Sequence, residues 1–74
     1  MKTLPEIVGE NIRIQREARG MSKYELTKAV RGRHSRDCTL VHLWENGVNA
    51  PSAYNLCLLA DIFGCTVDEL LGRV

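Results

Sequence analysis

The sequence predicts an all-α domain, a compact bundle of five helices, and three observations support this class. Apolar residues recur at spacings of three and four, and no stretch alternates as a β-strand does. Three segments match the capping box that marks a helix start, a Ser or Thr followed three positions later by Glu. Gly20, Gly47 and Gly64 each follow an apolar stretch, where glycine commonly ends a helix.

Length and composition limit what the chain can contain. With 74 residues, 45% of them hydrophobic and 26% charged, we expect one domain over residues 1–74 and no separate effector domain. The sequence shows no long apolar run, signal-peptide arrangement or lipidation motif, so we expect a soluble cytoplasmic protein with no membrane role. Three cysteines at irregular spacing do not suggest a disulfide framework, and they fit a reducing compartment.

The first two helices are predicted over about residues 4–19 and 22–31. Thr3 with Glu6 and Ser22 with Glu25 form their capping boxes, and Met21 can pack onto the following helix. The main apolar stripe of helix 1 comprises Leu4, Val8 and Ile12 and is continued by the stem of Arg16, with a second stripe of Ile7, Ile14 and Ala18. The expected buried face of helix 2 comprises Leu26, Ala29 and Val30.

Helix 3 is predicted over about residues 37–46, capped by Asp37 or, less favourably, by Ser35. Helical spacing places Val41 and Trp44 on one face together with Glu45. The opposite face carries Thr39, His42, Leu43 and Asn46. We therefore expect one face of helix 3 to join the core and the other to meet something outside.

Helices 4 and 5 are predicted over about residues 52–63 and 67–71. Ser52 caps helix 4, Thr66 begins a third capping box with Glu69, and Cys65 can pack onto Leu70. The core stripe of helix 4 follows the spacing i, i+3, i+4, i+7 and comprises Leu56, Leu59, Ala60 and Phe63.

A short helix, a turn and a second helix ended by Gly47 are typical of a helix-turn-helix, whose second helix commonly enters a DNA groove.

Residues 1–44 carry nine Lys/Arg and five Asp/Glu, whereas residues 45–74 carry one and four, so the net charges of the two halves are about +4 and −3. The predicted turn is basic, and Arg31, Arg33 and Arg36 could contact phosphates. The alternative interpretation is an ordinary solvated surface.

These features resemble the phage-repressor (Cro/repressor, XRE-type) helix-turn-helix family over about residues 8–72. The resemblance is carried by Arg16, Gly20-Met21-Ser22, Glu25-Leu26, Trp44-Glu45-Asn46-Gly47, Pro51-Ser52, Leu56, Leu59-Ala60, Phe63-Gly64 and Val67-Asp68-Glu69-Leu70-Leu71. It implies a lambda-repressor-like DNA-binding domain. The implied function is a sequence-specific transcriptional regulator, of repressor type, that binds a short palindromic operator in double-stranded DNA as a homodimer.

The resemblance also implies roles for individual residues. Arg16 and Glu45 match the family's structural ion pair between helices 1 and 3, and Trp44 matches the aromatic residue behind the recognition helix. Together with the basic turn, the DNA-binding residues are expected to be Lys23, Arg31, Arg33, Arg36, Cys38, Thr39, His42, Leu43 and Asn46. This set offers few bidentate partners for base edges, so we expect modest sequence discrimination. The turn over residues 31–36 is longer than the usual ~3–4 residues.

A homodimer interface is predicted from a second apolar row on helix 4. Tyr54, Leu58 and Ile62 have the spacing i, i+4, i+8 beside the core stripe, and Leu71 and Val74 follow at the end of helix 5. Exposed apolar rows can mark contact surfaces. The alternative is that a small bundle simply exposes some apolar residues.

Other functions are disfavoured. Cys38 and His42 are four residues apart with His34 nearby, but a structural zinc site needs about four ligands, and Cys57 and Cys65 belong to other helices. A Cys/His nucleophile would lack a third orienting group, so we expect no enzyme, metal, cofactor or small-molecule ligand. The alternative function is a protein-interaction or antitoxin-like regulatory subunit whose helix 3 face meets a protein.

Overall fold

A computed structural model describes residues 1–32 and 38–73. Within these ranges it contains five α-helices and no β-strand, which confirms the predicted all-α class. None of these helices is long and apolar enough to cross a membrane. The helices are α1 (Leu4–Ala18), α2 (Lys23–Arg31), α3 (Thr39–Glu45), α4 (Ala53–Phe63) and α5 (Val67–Leu70).

Side-chain caps explain where four of these helices begin. The Glu6 backbone N–H donates to the Thr3 hydroxyl at 3.3 Å, and the Thr3 N–H donates to the Glu6 carboxylate at 2.8 Å. Ser22 and Glu25 form the same reciprocal pair before α2, at 3.0 and 2.9 Å. Each pair satisfies backbone donors that the first helical turn leaves without a partner. The hydroxyls of Ser52 and Thr66 cap α4 and α5.

Six predicted boundaries differ from the structure by one or two residues, and those at the starts of α2 and α4 differ only because the predicted range included the cap residue. α1 ends at Ala18 because the Arg19 N–H turns back to Arg16 O at 3.1 Å, which tightens the last turn. α3 begins at Thr39 rather than residue 37, with Cys38 at the N-cap position and no side-chain cap bond. The proposed caps Ser35 and Asp37 lie outside the described residues. α5 ends at Leu70, one residue earlier than expected.

The hydrophobic core receives side chains from all five helices. Trp44 and Phe63 are its largest members, and each is 1% exposed. α1 packs against α3, α4 and α5, while α2 packs against α3 and α4. The other buried apolar residues are Val8, Ile12, Leu26, Val41, Leu59, Ala60 and Leu70.

A glycine allows α1 and α3 to approach closely. A Cβ at Gly9 would lie 2.0 Å from the carbonyl oxygen of Trp44, so the α1 backbone is in contact with the α3 backbone. Gly47 combines a φ of +71° with a Cβ position 2.7 Å from Glu6 Cγ. These contacts hold the end of α3 against the first half of α1.

Some predicted faces were wrong in detail. Leu4 is 53% exposed because α1 meets α3 further along, around Gly9. Ala29 is exposed, and Thr27 is fully buried in its place. Burying Thr27 is inexpensive because its hydroxyl donates to Lys23 O at 2.8 Å. The second stripe of α1 is mostly at the surface, since Ile14 and Ala18 are exposed and Ile7 is half-buried.

Candidate nucleic-acid interface

The inner face of α3 is anchored by packing and by an ion pair. Val41 and Trp44 are each 1% exposed. Arg16 Nε donates to Glu45 Oε2 at 2.7 Å, and Arg16 Nη2 donates to Glu45 Oε1 at 3.0 Å. The third donor, Arg16 Nη1, bonds to Met21 O at 2.8 Å. The predicted ion pair between Arg16 and Glu45 is therefore confirmed, and it joins α1 to both α3 and the start of the α2 segment.

Hydrogen bonding to Glu45 raises the pKa of the Arg16 guanidinium above its ordinary value, and burial opposes this rise. The side chains of Arg16 and Glu45 are 10% and 3% exposed, so water screens their attraction weakly. The pair is bidentate, which fixes the orientation of the guanidinium as well as its distance. The ion pair and the buried Val41 and Trp44 together define which side of α3 faces the core.

The outer face of α3 consists of the side chains that the sequence placed there. Thr39, His42 and Asn46 are exposed, and Leu43 is half-buried. Cys38 is half-buried at the N-cap position and so precedes the helix that it was expected to join. The outer face is therefore mainly polar, with one apolar side chain, Leu43, that is partly accessible.

The start of α2 lies against the middle of α3. Lys23 Nζ is 3.3 Å from His42 Nδ1. Asn46 Nδ2 donates to His42 O at 2.8 Å and is also 3.3 Å from each nitrogen of the His42 ring. We call Lys23, His42 and Asn46 the α2–α3 cluster. It makes the N-terminus of α2 and the outer face of α3 one continuous surface.

The predicted phosphate contacts can be located only in part. Arg31 is exposed in the last turn of α2. Lys23 begins the same helix, about 12 Å away at a rise of about 1.5 Å per residue. Arg33 and Arg36 lie outside the described residues, as does His34. Of the residues predicted to contact phosphates, the structure therefore places two, Lys23 and Arg31, at opposite ends of α2.

The predicted dimer residues do not form one exposed row. Tyr54 is 73% exposed, and Leu58 is half-buried. Ile62 and Leu71 are half-buried and pack against the chain's own core. Val74 lies outside the described residues. The C-terminal part of the row thus contributes to intramolecular packing, and any dimer contact would centre on the N-terminal half of α4.

An open depression of about 290 Å³ lies between α1 and the end of α3. The charged side chains that line it form ion pairs or hydrogen bonds with neighbouring residues. Lys2 bonds to Glu10, and its hydrogen bond lowers the pKa of that carboxyl. The backbone N–H of Thr3 lowers the pKa of Glu6. A carboxyl whose pKa is lowered is a poor proton donor at neutral pH, so Glu6 and Glu10 are poorly suited to acid catalysis.

The cysteines and acidic groups show no metal or redox arrangement within the described ranges. Residues 1–32 and 38–73 hold no group of three His, Cys, Asp or Glu that could bind a metal ion. Cys38, Cys57 and Cys65 are free thiols. Burial raises the pKa of the Cys65 thiol, which disfavours the reactive thiolate.

No protein-family model matches the chain, and no curated protein or solved structure matches it either. The function of the chain is therefore inferred from the surface formed by the N-terminus of α2 and the outer face of α3.

Sequence reasoning missed three residues that position this surface. Gly9 permits the α1–α3 contact, and its signal was a glycine in the middle of a helix, which usually has a packing reason. Asn11 Nδ2 donates to Leu70 O at 3.0 Å and so caps α5 from a distant part of the chain. Arg19 donates to Phe63 O, and its guanidinium lies 5.3 Å from the centre of the Phe63 ring. No local pattern indicates these last two contacts.

Proposed function

We propose that this chain is a helix-turn-helix DNA-binding protein, a cytoplasmic transcriptional repressor that binds a short palindromic operator as a homodimer. The observation that carries the proposal is the orientation of α3. Its inner face is locked by Val41, Trp44 and the Arg16–Glu45 pair, while His42 and Asn46 face outward beside the first residue of α2. In this class of proteins the second helix lies in the major groove and the first helix crosses the backbone.

The anchoring matters because α3 has only seven residues. Isolated helices of fewer than about 12 residues are marginal in water, so tertiary contacts must hold this one in shape. A groove-binding helix also has to be rigid, since its side chains must meet base edges at fixed positions. The buried Trp44 and the bidentate ion pair meet both requirements.

Charge supports the same function. Residues 1–44, which include α1, α2 and all of α3 except Glu45, carry nine Lys/Arg against five Asp/Glu. Lys23 and Arg31 lie at the two ends of α2, and they could hold the backbone on either side of the groove that receives α3. Phosphate contacts of this kind supply most of the non-specific affinity and make it depend on salt.

The proposed homodimer would pair two copies through the part of α4 around Tyr54, which is the most exposed aromatic side chain of the described residues. Two α3 helices related by a two-fold axis match a palindromic site whose half-sites lie about one helical turn of DNA apart.

Salt-dependent DNA binding tests the proposal. The anisotropy of a labelled random-sequence duplex is measured over a series of salt concentrations, and each phosphate contact adds about 0.9 to the slope of log affinity against log salt. We expect Lys23→Ala and Arg31→Ala each to reduce this slope by about one. Arg73→Ala removes an equal charge from the exposed end of the chain beyond α5 and should leave the slope unchanged. No binding at low salt would contradict the proposal.

The second candidate function is a protein-interaction or antitoxin-like regulatory subunit with the same fold. It is favoured by two apolar side chains near the end of α3, the half-buried Leu43 and the 63% exposed Val48. In that case complex formation would weaken in a Leu43→Ala variant and would depend little on salt.

A further inference from the structure

The α2–α3 cluster contains a contact whose chemistry determines which hydrogen-bonding groups face outward. Lys23 Nζ lies 3.3 Å from His42 Nδ1. An ammonium group has three donors and no acceptor. The contact is therefore a hydrogen bond only when Nδ1 carries a lone pair rather than a proton.

The contacts of Asn46 are compatible with an unprotonated His42 Nδ1. Its Nδ2 donates to the His42 carbonyl at 2.8 Å, which fixes the orientation of the amide. The same nitrogen is 3.3 Å from both His42 Nδ1 and His42 Nε2, so it does not distinguish between them. Lys23 is therefore the cluster member that selects the tautomer.

With Nδ1 accepting from Lys23, the proton of the neutral imidazole resides on Nε2. The ring nitrogen that remains for an outside partner is then a donor. In the major groove a single donor finds one acceptor on adenine (N7) and one on thymine (O4), but adenine also presents the N6 donor, thymine a methyl group and cytosine only the N4 donor. Guanine alone presents two acceptors, N7 and O6, and no donor. Guanine presents two adjacent acceptors to one N–H, so it tolerates small errors in position.

We infer that His42 is the base-reading donor of this protein and recognises guanine through Nε2–H, and that Lys23 is a positioning residue that sets its tautomer. The inference rests on the proposed function, because it concerns the same DNA-facing surface. It also assigns Lys23 a second role besides phosphate contact. The two roles are compatible because the bond to His42 uses only one of the three N–H donors of Lys23 and leaves two for a phosphate.

The first test uses the free protein and needs no DNA. Nitrogen-15 spectra of the histidine side chains are recorded at about pH 8, where histidine side chains are mostly neutral, and a His34→Gln variant assigns the signals of the chain's two histidines. We expect a proton on His42 Nε2 and a hydrogen-bonded, unprotonated Nδ1. Lys23→Met should shift the Nδ1 signal toward that of a free nitrogen. Lys28→Met, the same change elsewhere on α2, should not.

The second test uses DNA with one atom changed. The duplex preferred by the protein is selected from a random pool, and each guanine is replaced in turn by 7-deazaguanine, which lacks the N7 acceptor. We expect a loss of about two- to tenfold at one guanine per half-site, the range of one hydrogen bond. In His42→Ala the modified and unmodified duplexes should bind equally. In Lys23→Met the difference between them should shrink.

Several results would overturn the inference. A proton on Nδ1, or an unchanged Nδ1 signal in Lys23→Met, would remove the positioning role of Lys23. A 7-deazaguanine effect that persists in His42→Ala would assign the reading to another side chain. Failure to enrich any duplex would overturn the proposed function and with it the guanine reading, whereas the spectra would still decide whether Lys23 bonds to His42.

Discussion

The two faces of α3 are held by different means. The inner face contains Val41, Trp44 and the Arg16–Glu45 pair, all nearly excluded from water, and its backbone touches α1 at Gly9. The outer face is exposed and is ordered mainly by contacts among Lys23, His42 and Asn46. Stability therefore depends on the inner face, and the proposed recognition of DNA would use the outer face. A change to one face should affect mainly one of these properties.

The largest effect should come from breaking the buried ion pair. Arg16→Met would leave the Glu45 carboxylate, whose side chain is 3% exposed, without its cation. We expect a loss of about 3–5 kcal/mol in the free energy of unfolding. Urea denaturation followed by the fluorescence of Trp44 measures it, because that side chain is buried in the folded state.

The matched control is Arg13→Met on the same helix. Arg13 pairs with Glu17 at 3.0 Å, but both side chains are about half exposed, at 45% and 55%. This exposed pair should contribute at most about 0.5 kcal/mol. Replacing both Arg16 and Glu45 by Met should recover much of the lost stability, since no charge is then stranded. Equal losses for Arg13→Met and Arg16→Met would mean that burial does not distinguish the two pairs.

The next largest effect should come from the α1–α3 contact. A methyl group at position 9 would overlap the Trp44 carbonyl oxygen, which belongs to backbone and cannot rotate away. We expect Gly9→Ala to cost about 1–3 kcal/mol or more, although alanine is otherwise the better helix former. Thermal unfolding followed by circular dichroism would show it. Stabilisation by this substitution would mean that α1 and α3 are further apart than described.

Acid stability should depend on the capping boxes. Hydrogen bonds from Thr3 and Ser22 lower the pKa values of Glu6 and Glu25 below 4.5 in the folded state. A lowered pKa stabilises the fold at pH values above 4.5, and this contribution is lost as the pH falls through the folded-state pKa. The double variant Glu6→Gln and Glu25→Gln should therefore lose stability less steeply below about pH 4.5. An Asp61→Asn variant serves as the control, and an unchanged acid slope in the double variant would contradict the assignment.

The smallest effect on stability should come from the outer face. His42 is exposed, and its ring contacts the half-buried Lys23 and the exposed Asn46. We expect His42→Ala to change the free energy of unfolding by about 0.5 kcal/mol or less, as is usual for surface substitutions. The same urea titration measures this change. A loss comparable to that of Arg16→Met would show that the outer face also supports the fold.

Local signals predicted the starts of the helices well. The reciprocal bonds of Thr3 with Glu6 and of Ser22 with Glu25 involve residues three positions apart, so the sequence contains both partners of each bond. The burial of Val41 and Trp44 also followed from helical spacing. The bond between Arg16 and Glu45 was expected from the family resemblance rather than from spacing.

Contacts between distant segments were harder to predict. Thr27 is buried where Ala29 was expected, because the direction from which α3 and α4 approach α2 decides which side of α2 is covered. Asn11 caps a helix 58 or more residues away along the chain, and Lys23 meets His42 across 19 residues. Neither contact can be predicted from the spacing of residues along one helix.

By itself, the sequence determined the helical class, the side-chain caps of four helices and the buried faces of α3 and α4, because these depend on hydrogen bonds and side-chain spacing within one or two turns. The tertiary structure decided the close approach at Gly9, the geometry of the Arg16–Glu45 pair and the meeting of Lys23 with His42. Those features depend on how helices cross, and crossing is set by the packing of all their side chains together.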